Sequence, residues 1–167
     1  MTHPSQPRDP LPSSIPLFSI GFRPFFLVAG LWAAISLGLF IAILLGGVTF
    51  APYGGALTWH IHEMLFGFLA ATLTGFLLTA IPNWTGRLPL QGPALIGLTG
   101  LWVAGRIAML MPESFTPMIA ALIDWSFLVT LLLFVLREII VGKNWRNLPI
   151  SLALAMFIGG NGLIHLE

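Results

Sequence analysis

Long apolar stretches, separated by short turns that contain polar residues or proline, run through most of the chain. A bilayer core about 30 Å thick needs about 20 apolar residues in a helix, and five stretches come close to that length. Proline stands at nearly every start or stop, as is common at helix ends, and Pro82 is expected to stop the second stretch. The pattern predicts five membrane spans, at about residues 25–48, 59–81, 93–111, 117–141 and 148–165.

The first 20 residues differ from the rest because they contain five prolines among serines and a threonine. Such a composition resists both helix and strand. We therefore expect residues 1–20 to form a flexible tail and residues 21–167 to form one transmembrane helical domain.

The overall composition supports this division. Apolar residues make up 57% of the chain and charged residues 8%, and the mean hydropathy is +0.94, far from the balance of a soluble domain. The expected fold class is all-α, a polytopic transmembrane helix bundle in a lipid bilayer. A net charge of +1 provides no basic face for nucleic acid. The lack of cysteine excludes disulfides, thiolate nucleophiles and cysteine-based metal sites.

Basic residues indicate how the bundle is oriented. They occur before the first span and around the connections that follow the second and fourth spans: Arg8, Arg23, Arg87, Arg137, Lys143 and Arg146. The connections after the first and third spans contain no Lys or Arg. By the positive-inside rule the N-terminus is cytoplasmic, and the start of the second span lies at the outer face.

The start of the second span is also the most polar point within the apolar region, with His60, His62 and Glu63 inside four positions. Ionisable groups in membrane helices are rare and mark functional sites. On an ideal helix the two histidines point about 200° apart, so either they face different partners or one ligates while the other packs. Met64, four residues after His60, completes an N,S pair that suits copper, although methionine also fills gaps in packing.

The later spans carry polar residues near the same predicted outer surface: Arg106, Asp124, Asn161 and His165. At 1.5 Å per residue, most of them lie about 0–10 Å below that surface. A structural ion pair between Arg106 and Asp124 is the simpler interpretation, and His165 could be an ordinary interfacial residue. The alternative is that these residues support a site centred on the two histidines of the second span.

Imidazoles on membrane helices serve as axial haem ligands, as copper ligands or in proton relays. The run from His60 to Glu63 is not the H-E-x-x-H arrangement of zinc hydrolases. The residues alone leave three classes open: a haem or copper protein, a proton- or ion-translocating or transporter half-module, and a structural or assembly subunit.

Several short sequence motifs resemble those of a known family. They are GFRPFF from Gly21, WHIHEMLFG from Trp59, GFLLTAIPNWTGR from Gly75, WVAGR from Trp102 and NWRNLP from Asn144. Together they resemble the NnrS family from about Phe18 to the end of the chain. The resemblance implies a polytopic inner-membrane protein of bacteria that contains haem and copper and takes part in the response to nitric oxide and nitrosative stress.

The same resemblance directs the choice of site residues. We expect His60, His62 and His165 as candidate ligands of a b-type haem. Candidate ligands of copper are His60, His62, Glu63 and Met64, and the supporting polar residues are Arg106, Asp124 and Asn161. An open metal position near Arg106 would accept nitric oxide or another diatomic ligand, or stabilise an anionic product.

The resemblance also bears on the length of the chain and on its partners. Nitric oxide or its metal complexes are the expected small-molecule partners. Members of the family are about twice as long, so we expect a fragment or a shortened relative. Its site would then be completed by a second half-chain or by a homo-oligomer.

Overall fold

The computed structural model describes residues 15–49, 52, 54–111 and 117–166. Within these residues five long helices follow one another: α1 (Phe22–Leu44), α2 (Gly55–Thr85), α3 (Pro93–Met109), α4 (Pro117–Val141) and α5 (Leu148–Ile164). Short 3-10 turns precede α1 and α5, at Pro16–Ser19 and Trp145–Asn147. The predicted all-α bundle is confirmed.

Four helical segments are long and apolar enough to cross a membrane: α1, α2, α4 and the segment Trp145–Ile164 that contains α5. Helix α3 is apolar but has only 17 residues, fewer than the roughly 20 that a full span needs. The chain is therefore a multi-pass membrane protein in which one predicted span is a shorter helix.

Helix α2 differs most from its predicted bounds. It begins at Gly55, before the predicted start at Trp59, and it continues through Pro82 to Thr85. Pro82 does not stop the helix, because a proline close to the end of a helix removes only one hydrogen bond of the ladder. The chain leaves the helix at Gly86, which has a φ of 67° and donates its N–H to the Pro82 carbonyl at 2.9 Å.

The segment before α1 is held in place from Ile15 onward, although we predicted a flexible tail through residue 20. The Arg23 guanidinium donates to the Pro16 carbonyl and to Ser19 Oγ, each at 2.9 Å. The N–H of Gly92 donates to the Phe18 carbonyl at 2.9 Å. These bonds join the segment to the starts of α1 and α3. Residues 1–14 of the predicted tail lie outside the described residues.

Helices α2 and α4 form the centre of the bundle. Helix α1 packs on α2, α3 and α5 pack on α4, and α2 and α4 contact each other. Half of the most apolar window of α2 is buried but only 11% of that of α1, so α1 presents most of its surface outward, as a lipid-facing helix does. The ring of Phe25 on α1 stacks on that of Phe127 on α4, with centroids 5.9 Å apart.

Two glycines allow helices to approach closely. Gly75 of α2 lies beneath the side chains of Phe25 and Phe26, and Gly105 of α3 lies against Asp124 of α4. A Cβ atom at Gly105 would lie 3.1 Å from Asp124 Oδ1 and 3.3 Å from its Cα. Small residues of this kind are common where membrane helices meet. The contact brings the next residue, Arg106, to the level of Asp124.

We predict that Gly105→Ala lowers stability, because the new methyl group forces α3 away from the backbone of α4. Overpacking of this kind typically costs about 1–3 kcal/mol. Gly97→Ala is the matched control on the same helix, since a Cβ there meets nothing within 4 Å and alanine favours helix by about 0.5–1 kcal/mol. Thermal unfolding in detergent, followed by circular dichroism, measures both. Equal stability of the two variants would contradict the close approach.

Candidate metal centre

The hydrogen-bond ladder of α2 widens into a π-helical segment, Glu63–Leu69, directly after the two histidines. Such segments are rare and often mark functional sites. The carbonyl of Gly67, within the segment, accepts a hydrogen bond from Trp102 Nε1 of α3 at 3.0 Å. The π-helical segment is thus tied to α3 at the level where the buried polar residues meet.

Arg106 joins three helices at this level. Its side chain is buried, with Nη1 donating to Glu63 Oε2 of α2 at 2.7 Å and Nη2 donating to Asp124 Oδ1 of α4. Trp32 Nε1 of α1 also donates to Glu63 Oε2, at 2.6 Å. Because all four of these side chains are buried or half-buried, the network fixes how α1, α2, α3 and α4 meet.

Gly67 makes room for this network. A Cβ atom there would lie 2.8 Å from Arg106 Nη1, 2.8 Å from Trp32 Nε1 and 2.9 Å from Glu63 Oε2. The space beside the Gly67 backbone is therefore filled by polar side chains from three helices.

His62 lies between the two carboxylates. It is fully buried, with Nδ1 3.1 Å from Glu63 Oε1 and Nε2 3.3 Å from Asp124 Oδ2. His165 Nε2 lies 3.4 Å from the same Asp124 oxygen, which also accepts a hydrogen bond from Asn161 Nδ2 at 2.8 Å. Several buried polar atoms of the described residues lack an aligned hydrogen bond. His62 Nε2, Arg106 Nε and Asn161 Oδ1 are among them in this cluster, and His60 Nδ1 is one outside it.

The fixed charges of the cluster do not cancel. Glu63 and Asp124 each carry a negative charge when ionised and Arg106 carries one positive charge, so one negative charge remains. A buried, uncompensated charge is strongly unfavourable. The cluster is therefore neutral only if it also holds a proton, on an imidazole or on a carboxylate, or a bound cation.

Three potential metal ligands lie within reach of one another. In the described part of the chain, ring nitrogens of His62 and His165 and a carboxylate oxygen of Asp124 lie within 4.8 Å of each other. Two atoms bound to one tetrahedral ion, with bonds of about 2.0–2.1 Å, lie roughly 3.3 Å apart. The separations of 3.3 and 3.4 Å from Asp124 Oδ2 to the two histidine Nε2 atoms are close to that value, and they are also ordinary ion-pair distances. All three ligand atoms lie within 4.8 Å of one another.

Glu63 is the residue that orients the His62 ring. An ionised carboxylate only accepts hydrogen bonds, and His62 faces one at each ring nitrogen. If a cation were bound at Nε2, the ring proton would remain on Nδ1, which would donate it to Glu63. A histidine that binds a metal commonly donates its other N–H to a carboxylate in this way.

Residues 16–167 match the protein-family model that is described as NnrS protein. The chain belongs to the NnrS family. Searches of curated proteins and of solved structures find no match. Membership of the family suggests a role in the response to nitric oxide.

The two neighbouring histidines of this NnrS-family chain face different partners. The His60 ring stacks on Phe40 of α1, with centroids 4.2 Å apart and an interplanar angle of 3°, while the His62 ring contacts Phe66 and His165. His60 and Met64 are each half-buried, and His60 does not belong to the group of three ligands.

The structure shows the surroundings of three further predicted site residues. Glu63 is outside the ligand group, and its oxygens are engaged by Arg106, Trp32 and His62. Both terminal nitrogens of Arg106 are engaged by carboxylates, whereas its Nε is buried without a hydrogen bond to a described residue. The predicted role of Arg106 toward a diatomic ligand or an anionic product stays a prediction. Asp124, predicted only as a supporting residue, is within the ligand group.

An apolar groove of about 590 Å³ opens between α4 and α5 next to this cluster. Sites for small cofactors typically have volumes of about 300–1,000 Å³ and are mostly apolar. The lining includes Met118, Leu122, Trp125 and Gly159, together with His165. His165 therefore borders the groove and also reaches Asp124.

We predict that Arg106→Met strongly destabilises the NnrS-family bundle. The substitution retains the apolar stem but leaves two carboxylates buried without their cation, a loss of about 3–5 kcal/mol. Arg146→Met is the matched control because Arg146 is exposed, and little change is expected there. Chemical unfolding in detergent measures the difference. If both variants unfold at the same denaturant concentration, the central role of Arg106 is refuted.

Proposed function

We propose that this chain is an integral membrane metalloprotein of the bacterial inner membrane that binds haem, and also copper, in the predicted outer half of the bundle. It would act in the response to nitric oxide and nitrosative stress, as its family membership suggests. The observation that supports the proposal best is the buried His62 Nε2, which faces Asp124 and His165 without an aligned hydrogen bond to any described residue.

The donor set fits a transition-metal ion. Imidazole nitrogens suit copper, iron and zinc, and a carboxylate oxygen completes a mixed N,O site. His62, His165 and Asp124 supply these atoms. A bound cation would also neutralise the negative charge that Arg106 leaves uncompensated. The unsatisfied Asn161 Oδ1 is a further oxygen that such an ion, or a water bound to it, would engage.

The groove between α4 and α5 fits a flat apolar cofactor. His165 is the candidate ligand that borders it, so His165 is the residue we assign to a haem iron. In that arrangement His62 and Asp124 would supply the protein ligands of a separate copper ion. The haem would be of the b type, because covalent attachment of a c-type haem requires cysteine and the chain contains none. A haem or copper ion bound here would supply a metal that binds nitric oxide.

The protein residues have separate tasks in this proposal. Glu63 keeps the His62 proton on Nδ1 and so leaves Nε2 free to ligate. Arg106 holds Glu63 and Asp124 in position through its two terminal nitrogens. The burial of His62, Glu63 and Asp124 excludes water, which strengthens each of these electrostatic interactions.

A proton-relay or transport half-module is the second candidate, because the His62 ring faces a carboxylate at each nitrogen. A relay needs further exchangeable groups toward the other end of the bundle. The buried hydroxyls of Thr74 and Thr99 instead donate to carbonyls of their own helices, those of Ala70 and Leu95. The buried Ser151 Oγ makes no hydrogen bond to a described residue. We rank the metal centre above the relay because of the family membership, with a structural or assembly subunit as the third candidate.

We predict that His62→Ala and His165→Ala each lose bound metal, measured by elemental analysis and by the visible spectrum of protein purified from cells supplied with haem precursor and copper. Loss of the Soret band in His165→Ala would assign the haem, whereas loss of copper in His62→Ala would assign the ion. Glu63→Gln is expected to weaken metal affinity by about 10–100-fold, the usual effect of removing an orienting partner.

His60→Ala is the matched control, since His60 lies two positions away and stacks on Phe40. It should retain the spectrum and the metal content of the unmodified chain. Circular dichroism and gel filtration establish that each variant is folded. Colourless, metal-free unmodified protein that responds to a pH gradient would favour the relay instead. Loss of metal only in His60→Ala would refute the ligand assignment.

A further inference from the structure

A second ionic cluster lies where α2 and α4 end, at the predicted cytoplasmic side of the bundle. Glu138 of α4 is buried, although it lies close to the end of its helix. Arg87 Nε donates to its Oε2, and Arg137 Nη1 donates to its Oε1 at 2.9 Å. Each carboxylate oxygen is thus engaged by a separate guanidinium, and the cluster keeps one positive charge.

A cavity of about 470 Å³ opens beside this cluster. Arg87, Arg137 and Glu138 form its charged side, and the apolar side chains of Leu90 and Phe134 form much of the remainder. A cavity that is cationic at one side and apolar at the other matches the boundary between a lipid headgroup and its acyl chains.

The walls of the cavity are held in position by contacts between the ends of α2 and α4. Asn144 Nδ2 donates to the Trp84 carbonyl at 2.6 Å. Gly142 lies so close to Thr85 that a Cβ atom there would be 2.8 Å from Thr85 Cβ. The two arginines are therefore presented by helix ends that are already fixed relative to each other.

The surrounding residues place the cavity at the depth of the headgroups. Trp145 is 59% exposed at the same end of the bundle, and Lys143 and Arg146 beside it are exposed as well. Exposed tryptophan is typical of the membrane–water interface, and an excess of Lys and Arg is typical of the cytoplasmic side.

We propose that this cavity binds the phosphate of an anionic phospholipid, with Arg87 and Arg137 as its ligands and Glu138 as the residue that positions them. Among the described residues, the terminal nitrogens of Arg87 make no hydrogen bond, since Glu138 is reached through Nε. Guanidinium groups match phosphate oxygens in paired hydrogen bonds. Basic pockets between membrane helices on the cytoplasmic side are common sites for such headgroups.

The test measures the thermal stability of the delipidated, purified full chain in detergent, with phosphatidylglycerol, phosphatidylethanolamine or inorganic phosphate added. Phosphatidylglycerol alone should raise the unfolding temperature. Arg137→Gln should weaken the apparent affinity roughly fivefold, as expected for one basic residue near an anionic headgroup, and it leaves the pair of Arg87 and Glu138 intact.

The double variant Arg87→Gln/Glu138→Gln removes a cation together with the carboxylate that it neutralises, so it leaves no unpaired buried charge. It should also lose most of the stabilisation by phosphatidylglycerol. Arg146→Gln is the matched control for a general attraction of the anionic lipid to basic residues. Phosphatidylglycerol should raise its unfolding temperature as much as that of the unmodified chain. Equal responses to both phospholipids, or equal losses in Arg146→Gln and Arg137→Gln, would overturn the proposed site. An equal response to inorganic phosphate would overturn the assignment to a lipid.

Discussion

The ion pairs that Arg106 makes with Glu63 and Asp124 are the constraint on which the rest of the structure depends. In a membrane-embedded helix each of these three groups would be strongly unfavourable alone. Together they are tolerated only if α2, α3 and α4 bring the three groups to one depth. Each helix must also be rotated about its axis so that its charged side chain faces the other two. Gly67 and Gly105 provide the space that this meeting requires, so the glycines and the charges form one structural unit rather than two separate features.

The geometry of His62 follows from this constraint. Because Arg106 takes one oxygen of each carboxylate, the remaining oxygens, Glu63 Oε1 and Asp124 Oδ2, are the ones that face the imidazole. The fixed charges leave one negative charge uncompensated at this point. A cation or a proton is therefore required there by electrostatics, independently of any family relationship. The family membership then favours a metal among these alternatives, because the NnrS family is associated with metal or haem binding.

The bundle carries polar clusters of opposite net charge near its two ends. The cluster at Arg106 is negative and deeply buried, whereas the cluster at Glu138 is positive and borders a cavity. Between them the core contains mainly apolar side chains, among them Leu77, Leu131 and Val135. This separation suits a protein whose cofactor chemistry would occur on one side of the membrane while its contacts with anionic lipid occur on the other.

The sequence by itself determined the class of protein and the level of its site. Apolar stretches of fixed length cannot remain in water, and the alternating direction of the helices places Glu63, Arg106, Asp124 and His165 at a common depth. The predicted separation of His60 from His62 also follows from helical geometry alone. These conclusions depend only on local periodicity and on solvent preference.

The sequence suggested the ion pair between Arg106 and Asp124, which the structure contains, but only the tertiary structure decided the other polar partners. Helix rotation, and hence the choice of His62 over His60, depends on packing against α1 and α4 that no local pattern encodes. The bond from Trp32 to Glu63 and the filling of the space beside Gly67 likewise arise from contacts between residues distant in sequence. A lone tryptophan or glycine in an apolar helix gives no signal of such a role. The neighbouring sequence is the same whether the residue packs against lipid, a neighbouring helix or a buried charge.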